Sequence, residues 1–252
     1  RAVILSIARR DEAAGTADVD AARMKRVVMR AVPLAPPTLP FSGAATLFGP
    51  VSVGSSAVDG RDALGTYDAA RDDCGSLRDT NSIAALSAQS IATTGMPRLY
   101  GAALAASPVQ LSNGRTQLDS GVALLRSRAT TVVLASGNTV PRYPDWRALV
   151  IRDTSGVTLS GASGHVGLLA VDGDLTVRGT LDVEGLLVVR GALDASQGAL
   201  TVRGALIVGD RAGRGSAMGD RVDVRYAPCL VGRALAAVAV PRPARFALWN
   251  SP

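Results

Sequence analysis

Between residues 167 and 209 apolar and polar positions alternate, and a glycine returns at a nearly fixed interval. It stands every six residues at Gly167, Gly173, Gly179, Gly185 and Gly191, then after an insertion at Gly198, Gly204 and Gly209. The unit reads G-x-L-x-V-x. Side chains two apart share one face of a strand, so each unit predicts one short strand and a corner that glycine permits. The inward positions are Leu169/Val171, Leu175/Val177, Leu181/Val183, Leu187/Val189, Leu193/Ala195, Leu200/Val202 and Leu206/Val208. A six-residue repeat of this kind is the signature of a parallel β-helix. A β-meander shares the alternation but needs no glycine at a fixed interval, and it favours Asn-Gly or Asp-Gly turns.

A slower period lies over the first. The units "GLLAVD" (167–172), "GLLVVR" (185–190) and "GALIVG" (204–209) are apolar at their outward positions as well, through Leu168, Ala170, Leu186, Val188, Ala205 and Ile207. The intervening units put Asp, Thr, Arg or Glu outward. Three strands per coil of about 18 residues would stack these apolar units on one face, buried on both sides. Another part of the chain or a partner must cover it. Leu168, Leu186, Val188 and Ile207 mark this candidate covered or interaction face.

The fold class expected is mainly β: a short parallel β-helix over 156–226, capped by an N-terminal helix, a small α+β region and a C-terminal helix and tail. Residues 1–32 carry Val3, Ile7, Ala14, Ala21, Met24, Val28 and Val32 at near-helical spacing. They read as a helix, the end of a membrane-anchoring one. Pro33 stops the pattern. Residues 33–155 read as irregular strands and loops packing on the repeat. Strands are expected in "AATLFG" and "VSVGSSAVDG", a polar loop over 59–80, and a helix in "NSIAALSAQS". Short strands are expected at 108–112 and 130–135, and a brief helix in "YPDWRALVIRDT". Residues 227–252 form a cap helix and a strapped tail. After Pro228 the pattern places Leu230, Ala234, Leu235 and Val238 on one helix face, and Phe246 and Trp249 are candidate docking anchors. Repeat arrays need capped ends, so two and a half coils call for these flanking segments.

Composition narrows the function. The chain has 252 residues and a net charge of +6, and every basic residue but Lys25 is arginine. The arginines are interspersed with acids and lack interleaved aromatics, which argues against a nucleic-acid surface. The opening "AVILSIA" is too short to span a bilayer; a start at Arg1 suits a product whose preceding portion was removed or lies outside this chain. Cys74 and Cys229 form one possible disulfide, which would place the protein in an oxidising compartment; two buried free thiols are the alternative.

No constellation of residues predicts catalysis. His165, the single histidine, sits in "GASGHVG" without an identifiable acidic partner. Asp172, Asp174, Asp182, Glu184 and Asp194 alternate with Arg178, Arg190 and Arg203, the pattern of charge pairing on a solvated face. The nonapeptide calcium repeat is absent. So are a phosphate-binding GxxxxGK[ST] loop, a GxGxxG turn after a strand, a G-x-S-x-G elbow and a Cys/His metal cluster. The expectation is a protein without enzymatic activity, cofactor, metal or small-molecule substrate.

Four pieces, "LPFSGAATLFGPVSVGSSAVDGRD", "WRALV", "GLLAVDGDLTVRGTLDVEGLLVVRGALD" and "YAPCLVGRAL…PRPARFALW", occur in an order that resembles the PilX-like, type IV pilus-associated envelope proteins. The resemblance spans residues 30–250. It implies a non-catalytic structural or assembly protein, secreted across the inner membrane and tethered by a helix upstream of Arg1. It further implies a periplasm-facing or cell-surface location, protein partners in an envelope assembly, and paired Cys74 and Cys229. Two other readings stand beside it: an accessory subunit that stabilises a large inner-membrane complex, and a β-helix enzyme acting on polysaccharide or acyl donors.

Overall fold

The computed structural model describes residues 38–40, 42–61, 84–105, 107–132, 139–140 and 146–239. Residues 36–238 cluster as one compact unit. Its centre is a set of long parallel strands, β11 (Ala162–Val171), β13 (Thr180–Val189) and β15 (Ala199–Val208), with β9 (Arg147–Ile151) beside the second half of β11. Leu168 lies opposite Leu186 and Leu186 opposite Ala205, while Ala170, Val188 and Ile207 form the next row. The spacing of 18 and then 19 residues read from the three apolar units is thus the register of this wall.

Between the long strands the chain lays down short ones: β10 (Val157–Leu159), β12 (Leu175–Val177), β14 (Leu193–Ala195) and β16 (Ser216–Met218). These build a second, six-stranded parallel sheet. β17 (Val222–Tyr226) then pairs with the first half of β15. The stack continues with residues from the other end of the chain. β1 (Gly43–Leu47) pairs with the second half of β15, β2 (Pro50–Val53) with β16, and β3 (Ala57–Asp59) with β17. A last layer follows, made of β4 (Ala84–Ala88) on β1, β5 (Ser90–Thr93) on β2, β6 (Arg98–Tyr100) on β3 and β7 (Ala103–Ala105) on β4. β8 (Thr130–Val132) closes the opposite end against β9.

The expected short β-helix, a solenoid confined to 156–226, is therefore corrected. The structure has two parallel sheets, of eleven and six strands, with the larger branching at β15 and curving into a nearly closed, barrel-like wall. The six-residue unit is not the strand. Gly167, Gly185 and Gly204 have φ of +118°, +132° and +141°, and this conformation bends the backbone without interrupting the ladder. Two units consequently fuse into each ten-residue strand. Strands from 43–59 and 84–105 join the same sheets, so the stack extends well beyond the repeat.

Three local expectations also change. "NSIAALSAQS" contains β4 and not a helix: the strand pairs with β1 and β7, and Ala85, Leu86, Ser87 and Ala88 are all buried. "WRALVI" is β9, whose Leu149 and Ile151 extend the rows of Leu169 and Val171. Residues 108–112 open a helix, α1 (Pro108–Arg128), instead of a strand. Ser107 accepts from the Gln110 N–H while the Gln110 side chain accepts from the Ser107 N–H, with Pro108 beginning the first turn. The second helix, α2 (Pro228–Ala239), forms where Pro228 and the apolar spacing place it. The expected helix over 1–32, most of the 59–80 loop and the tail beyond 239 lie outside the described residues.

Candidate functional site

Leu168, Leu186, Val188 and Ile207 meet on adjoining strands, each fully buried, as do the inward-facing Leu169, Leu187 and Leu206 behind them. The wall is apolar on both faces because both are covered. α1 leaves the stack after β7 and rejoins it before β8. Its 21 residues span about 31 Å, and the eight strands from β7 to β8 span roughly 34 Å at ~4.8 Å per pair. The helix is as long as the face it crosses. Gly114 and Gly121, two turns apart, let it approach closely, for a Cβ there would strike Phe48 and Leu39. Leu111, Leu118, Val122 and Leu125 are buried apolar side chains of this helix.

α2 crosses the same face along the bending glycines. Ala227 donates its N–H to the Gly204 carbonyl, and Ala234 stands next to Gly185. Leu230, Val231, Ala234 and Val238 are buried. Trp146 and Cys229 pack against the buried pair Ala227 and Leu230, and the Arg233 guanidinium lies 5.7 Å from the centre of the Trp146 ring. Residues of the same chain thus cover the candidate face.

A polar latch joins α1 to the wall. Asp172, almost wholly buried at the end of β11, accepts from Arg126 of α1 and, at 2.9 Å, from Arg190 at the end of β13. Arg190 also donates to Asp119 of α1 at 2.6 Å. Burial is the main force lowering the Arg126 pKa from its ordinary value, and the neighbouring positive Arg190 and Arg152 act the same way. Sequence reading missed Asp119 and Arg126 because it placed no helix there. The S-x-x-Q pattern of residues 107–110 was the available signal.

His165 points into the interior from the first half of β11, with only 2% of its surface exposed. Its Nε2 lies 3.0 Å from the Arg147 carbonyl and 3.2 Å from that of Leu168. Two flanking acceptors require a proton on Nε2, which leaves Nδ1 unprotonated and without a hydrogen-bond partner. Burial lowers the His165 pKa, against the two carbonyl contacts that favour the charged ring. The imidazole borders a groove of about 540 Å³ lined also by Ser163, Thr180, Asp182, Glu184 and Arg203. Among the described residues no carboxylate bonds to either ring nitrogen, so no acid–histidine pair is assembled around it.

Three further repeat acids are engaged locally. Asp174 accepts from the Ala192 N–H and from Arg214, and Glu184 pairs with Arg203 at 3.1 Å. Asp194 binds the Ser196 N–H and hydroxyl. Asp182 stands exposed on the outer face of β13. Among the described residues no group of three or more His, Cys, Asp or Glu side chains is placed to hold a metal ion. No helix among them is long and apolar enough to cross a membrane.

Cys229 is half-buried in the first turn of α2 and is not a free thiol. No disulfide joins two described residues: Cys74 lies outside them, as do Phe246 and Trp249 of the candidate docking tail. Comparisons of the chain with protein-family models, with curated proteins and with solved structures find no match.

Proposed function

We propose that this protein is a non-catalytic structural or assembly component of a bacterial envelope, tethered to the membrane through its N-terminal portion and facing the periplasm. The pilus-associated setting rests on the resemblance of the four sequence pieces. One observation carries the non-catalytic reading: the side chains best suited to chemistry are engaged in holding the framework. His165 is wedged between backbone carbonyls, Asp172 fastens α1, and Asp174 and Glu184 bind neighbouring arginines or backbone. A doubly covered wall of stacked strands is the means to a rigid shape.

Gentle detergent extraction from native membranes, followed by native mass spectrometry, tests the proposal. It predicts a stoichiometric complex with pilus or other envelope assembly components. A complex with the subunits of an integral inner-membrane enzyme would replace this reading with that of an accessory subunit. Turnover on a panel of glycans or acyl donors, lost in His165→Ala, would overturn the non-catalytic reading.

A further inference from the structure

Large hydrophobic side chains that stand exposed among the described residues number four, Met96 (87%), Val109 (68%), Leu104 (45%) and Tyr100 (44%). All four belong to one stretch, 96–109. Met96 lies in the loop between β5 and β6, Tyr100 ends β6, Leu104 is the middle of β7, and Val109 stands in the first turn of α1 just beyond β7. The topology gathers them at one end of the stack. There, among the described residues, β5, β6 and β7 each pair on one side only, with β2, β3 and β4. Apolar side chains thus sit beside strand edges with ladder positions to spare, and Ile91 and Leu99 are only half-buried beneath them.

Edges of this kind usually carry charged residues or proline that discourage pairing. Here residues 84–114 contain a single charge, Arg98, and the strands themselves hold no proline. Tyr100 is held in place, with the Arg61 guanidinium 4.4 Å from its ring centre and fixed in turn by Asp59 at 2.7 Å. A rigid aromatic among exposed aliphatics has the character of an interface anchor. The opposite end of the stack differs: Val140, Leu149, Val157 and Leu159 are all buried, and Arg152 is exposed beside them.

We propose that this last layer docks a second copy of the same chain, last layer against last layer, about a twofold axis. An apolar surface close to neutral, whose charges are Arg98 and the paired Arg61 and Asp59, is complementary to itself, whereas a strongly acidic or basic partner would find little net charge to read. Twofold symmetry sets each edge strand antiparallel to a strand of the other copy, a pairing that sheets accept readily. It also closes the contact at two copies. Head-to-tail growth would instead set this surface against the opposite end, whose apolar residues are buried and which carries the exposed Arg152. This inference does not depend on the envelope assignment.

Light scattering and sedimentation of the full chain from about 1 to 100 µM, the range in which modest interfaces assemble, test the proposal. The expected result is a concentration-dependent species of twice the 25.7 kDa chain mass. The double variant Met96→Lys/Leu104→Lys should raise its dissociation constant at least tenfold while keeping the wild-type unfolding midpoint. Should that variant fold poorly, Met96→Glu alone, at the most exposed position, should weaken the pair in the same direction. A monomer throughout the range, a dimer indifferent to these substitutions, or growth into larger species would each overturn the proposal.

Discussion

The wall of β11, β13 and β15 and the last layer of β5, β6 and β7 obey one pairing rule, parallel strands in register, yet finish with different surfaces. In the wall, each second half of a strand is apolar at odd and even positions alike, and two helices lie over it. In the last layer, β7 is exposed at all three residues and β5 at three of four. α1 only begins there, and α2 lies higher on the stack, along Gly204 and Gly185. Strand pairing alone therefore does not seal this molecule. Among the described residues, sealing comes from helices placed over the wall and not over the end.

That contrast is sharpest at the bending glycines. In Gly185→Val the Cβ would overlap the Gly167 carbonyl in a backbone conformation that side chains rarely adopt. A loss of at least about 4 kcal/mol is expected, enough to prevent folding. Gly213→Ala also meets a positive φ, but in open space, and should cost about 1 kcal/mol in a urea titration. Truncation separates the two regions next. Leu186→Ala should cost about 3–5 kcal/mol, whereas Leu104→Ala should change the monomer's unfolding free energy by no more than ~0.5 kcal/mol. Equal losses at both would erase the distinction.

Removing the latch should cost about 3 kcal/mol in Asp172→Ala, since it leaves Arg126 and Arg190 crowded without their shared carboxylate. A further expected effect is a dependence on pH. The folded protein holds His165 neutral with its pKa lowered, while the unfolded chain titrates near 6.5. The unfolded state then binds the extra proton first. The stability from neutral His165 is complete above pH 6.5 and declines as the pH falls below it, by up to about 1.4 kcal/mol per pH unit. Unfolding midpoints measured from pH 7.5 to 5 should show this slope in the wild type and lose that part of it in His165→Gln.

The stacking of the three apolar units was legible in the sequence. Leu168, Leu186 and Ala205 stack as the slow period required, and the burial of both faces followed from their outward neighbours. The rest was hidden for physical reasons. A glycine that ends a strand and one that bends it look alike in a sequence, so the ten-residue strands read as pairs of short ones. Segments far apart in the chain joined the same stack: Val51 lies beside Ser216 and Ala45 beside Leu206, pairings that no local pattern announces. α1 was obscured by its own contacts. Gly114 and Gly121 weaken a helix in isolation and serve here to bring it close to Phe48 and Leu39. His165 is an interior position of β11, because the ladder continues through the expected corner.

Hydrogen exchange of the full chain, followed by mass spectrometry at a dilute and a concentrated condition, tests most directly the claim that a sealed wall ends in an open, self-pairing layer. The account predicts that peptides from 162–171, 180–189 and 199–208 exchange slowly at both concentrations. Peptides from 90–105 should exchange quickly when dilute and slow markedly when concentrated. Protection of 90–105 equal to that of the wall in the dilute sample, or unchanged on concentration, would contradict it.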